Sequence, residues 1–172
     1  ITLFLCWVNY QSGTWLSGWD TLHPEFDFGL YFKRTFFSVW QEHQGLGAVA
    51  AQSHVGELVR MLIYYPFSLI LPDHFLRWSY FFLTLVLGPL GVYFFLKHVI
   101  GKAWIAFCAG LVYLLNLGTL QHYYLPLEMF ATHFATLPWL FLFALKFLET
   151  GNRKNLFLFS IITILSIPIG HT

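Results

Sequence analysis

Long apolar runs and one polar stretch make up the chain. Phe75 to Leu96, Ala103 to Leu120 and Thr132 to Leu148 are nearly uninterrupted apolar segments, and Leu156 begins another that runs towards Thr172. Each is close to the roughly 20 residues with which a helix crosses a bilayer. Ile1 to Tyr10 is a shorter apolar run and reads as the later part of a first span. The pattern predicts an all-α polytopic transmembrane helix bundle of about five spans. Arg77 and Trp78 stand at one end of the 75–96 run and Lys97 and His98 at the other, as anchors at two interfaces would. Gly88 and Pro89 predict a kink within it.

Residues 11–74 follow a different rule and predict a long loop. Between Gln11 and Asp73 lie six of the chain's eight acids and three of its nine Lys and Arg. Within it, "FGLYFKRTFFSVWQEH" places Phe28, Tyr31, Phe32, Thr35, Phe36, Val39 and Trp40 on one helical face and Lys33, Arg34, Gln41 and Glu42 on the other. That predicts an amphipathic helix lying in the membrane interface and ended by Gly45 and Gly47. Val55 to Leu71 resumes as a second interfacial or re-entrant helix, with a short span as the alternative.

Composition supports the membrane reading. The 172 residues are 58% hydrophobic and 10% charged, where soluble domains carry about 25% charged residues. A formal charge of +1 and the absence of a basic cluster argue against nucleic-acid binding. Cys6 and Cys108 lie far apart in apolar runs and suggest neither a disulfide framework nor a metal site. Lys97 and Lys102 in one turn, with Lys146, Arg153 and Lys154 in another, hold five of the nine basic residues, while Gln121 to His133 holds none. The positive-inside rule then places both basic turns in the cytoplasm. The 11–74 loop and the Gln121–His133 loop fall on the extracytoplasmic side of a multi-pass inner-membrane protein.

Chemistry-bearing residues concentrate in those outer loops. "SGWDTLHPEFD" offers Asp20, Glu25 and Asp27 near the membrane surface, where a carboxylate of tuned pKa can take a proton from a hydroxyl. Asp27 equally suits a cap on the helix that follows. His23 stands beside Glu25, and His43, His54 and His74 follow, without a recognised metal-ligand spacing. Arg60 and Arg77 lie at membrane level against the positive-inside trend, as groups for a phosphate or as side chains snorkelling to headgroups. Glu128 would be costly facing lipid and suits either a substrate or metal contact or a loop-stabilising one. Asn116 suits a contact between helices.

Three features together resemble the N-terminal half of a GT-C superfamily membrane glycosyltransferase. They are an acid soon after the first span (Asp20), a pair of amphipathic helices in the first outer loop, and "AGLVYLLNLGTLQHYYLPLEMFATHFATLPWLFLFALKF". The last is similar to the arabinofuranosyltransferase-like branch, where a span end bearing Tyr and Asn precedes an outer loop and an L-P-W span. The resemblance implies transfer of a sugar from a polyprenyl-phosphate donor to an extracytoplasmic glycan or lipid acceptor. Asp20 would be the base, with Glu25 as alternate because family members carry two adjacent acids and this chain does not. It further implies Arg60, Arg77, Glu128 and His23 around the substrates, no nucleotide-binding domain, a divalent cation as an option, and a soluble domain beyond Thr172. The competing class is a non-enzymatic polytopic protein, either a transporter or flippase or a structural subunit, although transporters usually carry ionisable or broken positions near the midplane.

Charge asymmetry yields a topological prediction. With Cys6 and Cys108 replaced, an impermeant thiol reagent added from outside should label a cysteine at Gly45 or Gln121 and miss one at Gly101 or Asn152. The reverse pattern overturns the orientation.

Overall fold

A computed structural model describes residues 1–16, 26–37, 40–41, 46–49 and 51–167. In chain order the described elements are α1 (Thr2–Asn9), α2 (Phe28–Phe37), β1 (Trp40–Gln41), β2 (Ala48–Val49), α3 (Ala51–Ser68), α4 (Asp73–Ile100), α5 (Ala103–Leu115), α6 (Leu117–Tyr124), α7 (Glu128–Thr150) and α8 (Arg153–Leu165). Apart from the short antiparallel β1–β2 ladder, the fold is helical. α4 is the central element, flanked by α5 and α7, with α8 packed on α7 and α2 packed on α3.

By length and composition α4 and α7 can cross a membrane, and α5 with α6 makes a third crossing if the bent pair is one span. This is a membrane protein by that criterion. Of the expected spans, these two or three meet that criterion among the described residues. α1 has 8 residues and α8 has 13.

Local chemistry explains the helix ends. α4 stops at Gly101 and α7 at Gly151, both left-handed (φ 77° and 63°), a conformation that glycine adopts without a Cβ clash. These turns share one end of the bundle, where His98 Nε2 and Glu149 Oε2 join α4 to α7 at 2.7 Å. The predicted 103–120 run is broken instead of continuous. Asn116 Oδ1 accepts from the Thr119 N–H at 3.0 Å, capping α6, while its Nδ2 donates to the Tyr113 carbonyl at 2.8 Å. One side chain thus satisfies groups on both sides of a 46° bend. The expected Gln121–His133 loop shrinks to Leu125–Leu127, because α6 and α7 extend into it.

Close approach of α4 and α7 rests on missing atoms. A Cβ on Gly88 would overlap the Phe134 ring, and one on Gly91 would come 2.7 Å from Trp139 Nε1. That indole donates to the Leu87 carbonyl at 3.0 Å. Pro138 has no N–H for the Phe134 carbonyl one turn earlier, and the Tyr113 hydroxyl of α5 donates to it instead at 3.0 Å. Lipid offers no such donor, so a neighbouring helix must.

The N-terminal part of the aromatic face of α2 packs on protein, while Phe36 and Trp40 of the same predicted face are exposed. Phe28 and Tyr31 are buried with Phe26, Met61 of α3 and Leu76 of α4, and Phe32 packs on that cluster. Protein competes for the same apolar stripe, and α3 supplies it. Trp40, expected on this helix, lies in β1.

Gly88→Ala should destabilise the protein by about 1–3 kcal/mol through overpacking. Tyr113→Phe should cost about 1–3 kcal/mol by leaving a buried carbonyl unpaired. Denaturant midpoints in detergent micelles measure both. An unchanged midpoint for Gly88→Ala would refute the α4–α7 contact.

Candidate functional site

Arg77 sits one turn into α4 and is 1% exposed. Its Nη1 pairs with Glu128 Oε1 in the first turn of α7. Its Nε donates to the Leu16 carbonyl at 2.7 Å, its Nη2 reaches the Pro126 carbonyl at 3.4 Å, and its guanidinium lies 4.6 Å from the Phe81 ring centre. Beside it the Trp78 indole donates to the Thr14 carbonyl at 3.0 Å. α4 therefore holds the stretch that follows α1, the α6–α7 link and the start of α7 with two adjacent side chains. Glu128 is favoured there twice over, by the guanidinium and by the exposed N–H groups at the helix start.

Arg60 forms a second buried pair. It and Glu57 are three residues apart on α3, hence on one helical face, and both are buried. The guanidinium lies 4.9 Å from the Tyr80 ring centre and 5.7 Å from that of Phe26, a cation held against π faces. Phe26 has φ 55°, a left-handed conformation that is costly for a bulky side chain. Burial against Phe28 and Tyr64 holds it there. Burial also pushes the Tyr31 and Tyr64 phenols above the ordinary tyrosine range, so both stay neutral.

Leu16 and Phe26 are the two feet of the acid-bearing segment 17–25. Leu16 packs on Tyr80, Phe81 and Ala131 and is held by Arg77, and Phe26 is held beneath Arg60. Both feet stand at the Asp73 end of α4.

Between α3, α4, α7 and α8 lies a cavity of about 420 Å³, within the range of small-molecule sites. Its walls are mostly apolar, with Arg60, Tyr64, Tyr80, Thr84, Thr132, Thr136 and the Trp139 indole as the polar groups. Thr132 Oγ1 donates to the Glu128 carbonyl at 2.6 Å and receives the Tyr80 hydroxyl. Thr84 donates to the Phe81 carbonyl at 2.8 Å and receives the Tyr123 hydroxyl at 3.0 Å. The hydroxyls of Tyr80, Thr84 and Thr132 on this wall are thus already hydrogen-bonded.

Asp20, His23 and Glu25 lie outside the described residues. Asp27 Oδ1 accepts from the Leu30 N–H at 3.0 Å and caps α2. Arg60 lines the cavity, whereas Arg77 and Glu128 are joined to each other and are not among its lining residues. Neither arginine snorkels, since both are buried. Among the described residues no three His, Cys, Asp or Glu side chains gather as metal ligands would. The sequence reading missed Glu57, Tyr80 and Thr132 as partners in this region. Only the Glu57–Arg60 spacing was a signal, because the other pairings cross between helices. No protein-family model, curated protein or solved structure matches the chain.

Breaking the buried pair from one side should cost about 3–5 kcal/mol, whereas an apolar pair of similar volume should recover most of that loss. The expectation is severe destabilisation in Arg77→Met and in Glu128→Gln, and near-parental unfolding in the double variant Arg77→Met/Glu128→Leu. Additive losses in this double-mutant cycle would show that the two residues do not interact.

Proposed function

We propose that this protein is a GT-C-type membrane glycosyltransferase that moves a sugar from a polyprenyl-phosphate donor to an extracytoplasmic glycan or lipid acceptor. The observation that carries the reading is the apolar cavity with Arg60, Tyr80 and Thr132 on its wall, close to both feet of the acid-bearing segment. An isoprenoid tail suits the apolar walls, and a guanidinium suits the phosphate at its head. Arg60 reaches that phosphate while it is paired with Glu57, so the donor must displace or share this contact.

In the reaction the acceptor oxygen attacks the anomeric carbon of the sugar and the bond from that carbon to the phosphate oxygen breaks. The bonding pair leaves with the polyprenyl phosphate, and the acceptor proton passes to a carboxylate. Asp20 is the proposed base and Glu25 its alternate. Arg77 and Glu128 serve as positioning residues that hold the Leu16 foot, and His23 is the remaining candidate for an acceptor contact.

The bend at Asn116 favours a second reading, since transporters build substrate sites at broken spans. Here the cap on α6 is supplied by Asn116 itself and its amide is spent on α5 carbonyls. The break is closed by the chain's own groups, so transfer is the preferred function.

The decisive assay is sugar transfer from a polyprenyl-phosphate donor by the purified protein in nanodiscs, with Asp20→Asn, Glu25→Gln and Asp27→Asn side by side. Asp20→Asn should lose about 10²–10⁴-fold in turnover with donor binding retained. Loss in Glu25→Gln alone moves the role to Glu25. Full activity in all three refutes the base assignment, and no transfer by the parent protein refutes the function.

A further inference from the structure

The second outcome of burying the α2 stripe is an exposed tip. Phe36, Phe37, Trp40 and Leu46 are all exposed, with Phe37 at 83%. They cluster at the C-terminal end of α2 and along the β1–β2 ladder, alongside exposed Lys33 and half-buried Arg34. The Trp40 indole rests directly on Gly47, where φ is 102° and any Cβ would overlap the ring. The glycine thereby fixes the indole on the turn without covering its other face. Phe28 and Phe32 pack on α3, Phe36 continues their row by stacking on Phe32 but stays exposed beyond that core, and Phe37 is exposed beside it.

Four large apolar groups in water would be an unusual patch for a soluble surface. Two cations beside them would be equally unusual in hydrocarbon. Aromatic rings with Lys and Arg on the same edge match the boundary between headgroups and acyl chains, where rings enter and cations meet phosphates. Asp27 is at the opposite end of α2 and is occupied in capping it. The local sign at the described tip is therefore positive, and anionic lipid is the complementary partner.

We propose that the α2 tip and the β1–β2 ladder form a docking surface for an anionic lipid headgroup layer, with Phe36, Phe37 and Trp40 as the inserted rings and Lys33 and Arg34 as the headgroup contacts. This surface is separate from the cavity between α3, α4, α7 and α8, and it stands whether or not the protein transfers a sugar.

The test is the immersion depth of a nitroxide attached to Phe37→Cys, with Cys6 and Cys108 replaced, in the whole chain reconstituted singly into nanodiscs. Power saturation by oxygen against a water-soluble nickel chelate reports depth, in phosphatidylcholine and in phosphatidylcholine containing one quarter phosphatidylglycerol. The label should favour oxygen, and phosphatidylglycerol should raise the oxygen-to-nickel ratio at least two-fold. Lys33→Glu/Arg34→Glu should abolish that rise, and Glu42→Gln should not. Nickel-accessible labels in both lipids overturn the proposal. Equal depth in both lipids, unaffected by charge reversal, overturns the anionic preference. Dipolar broadening between labels in two-copy discs, with no shielding in single-copy discs, assigns the patch to a contact between copies instead.

Discussion

A single buried guanidinium ties the bundle together. Arg77 joins α4 to Glu128 of α7, to the carbonyl of Leu16 and to that of Pro126, so two chain segments otherwise far from α4 in sequence meet at one charge. Moving either ion from water to a low-dielectric interior costs several kcal/mol, and only mutual pairing with further hydrogen bonds offsets it. That requirement selects one arrangement. If α7 slid by a turn along α4, Glu128 would lose its partner, and the glycine faces at Gly88 and Gly91 would lose the rings that fill them.

The same end of α4 adjoins the second ion pair. Arg60 and Glu57 neutralise each other beside Tyr80, and Tyr80 continues through Thr132 to the backbone at Glu128. The Arg60 guanidinium thus lies against the Tyr80 ring, whose hydroxyl reaches the Glu128 backbone through Thr132. The Tyr80, Thr84 and Thr132 hydroxyls on the wall of the cavity each have a partner within the protein. A phosphate entering the cavity would meet a cation already desolvated and oriented, and would compete with Glu57 for it.

Competition for apolar surface decides what the rest of the molecule shows to its surroundings. α2 and α3 both have more apolar residues than their mutual contact can cover. Burying Phe28 and Tyr31 leaves Phe36 and Phe37 outside, and burying Met61 leaves Leu62 and Ile63 outside. Hydrophobicity alone does not say which member of each adjacent pair turns inward. The strained Phe26 and the positions of Met61 and Leu76 make that choice by giving one face of α2 a surface to fill.

The amino-acid sequence by itself determined the helical character and the apolar runs of α4 and α7, because these follow from hydrophobic length over neighbouring residues. It also marked Arg60, Arg77 and Glu128 as unusual, since charge is expensive wherever such runs pack. Their partners were not legible. Arg77 meets carbonyls 61 and 49 residues away, and no local spacing encodes a contact across that distance. The cap at Asn116 was a local signal hidden by the apolar residues on both sides of it. Only the tertiary structure decided that Phe28 and Tyr31 of the aromatic stripe of α2 are core, that the 103–120 run is bent, and that a cavity opens beside Arg60, because each depends on which helix arrives opposite and on the volume left between them.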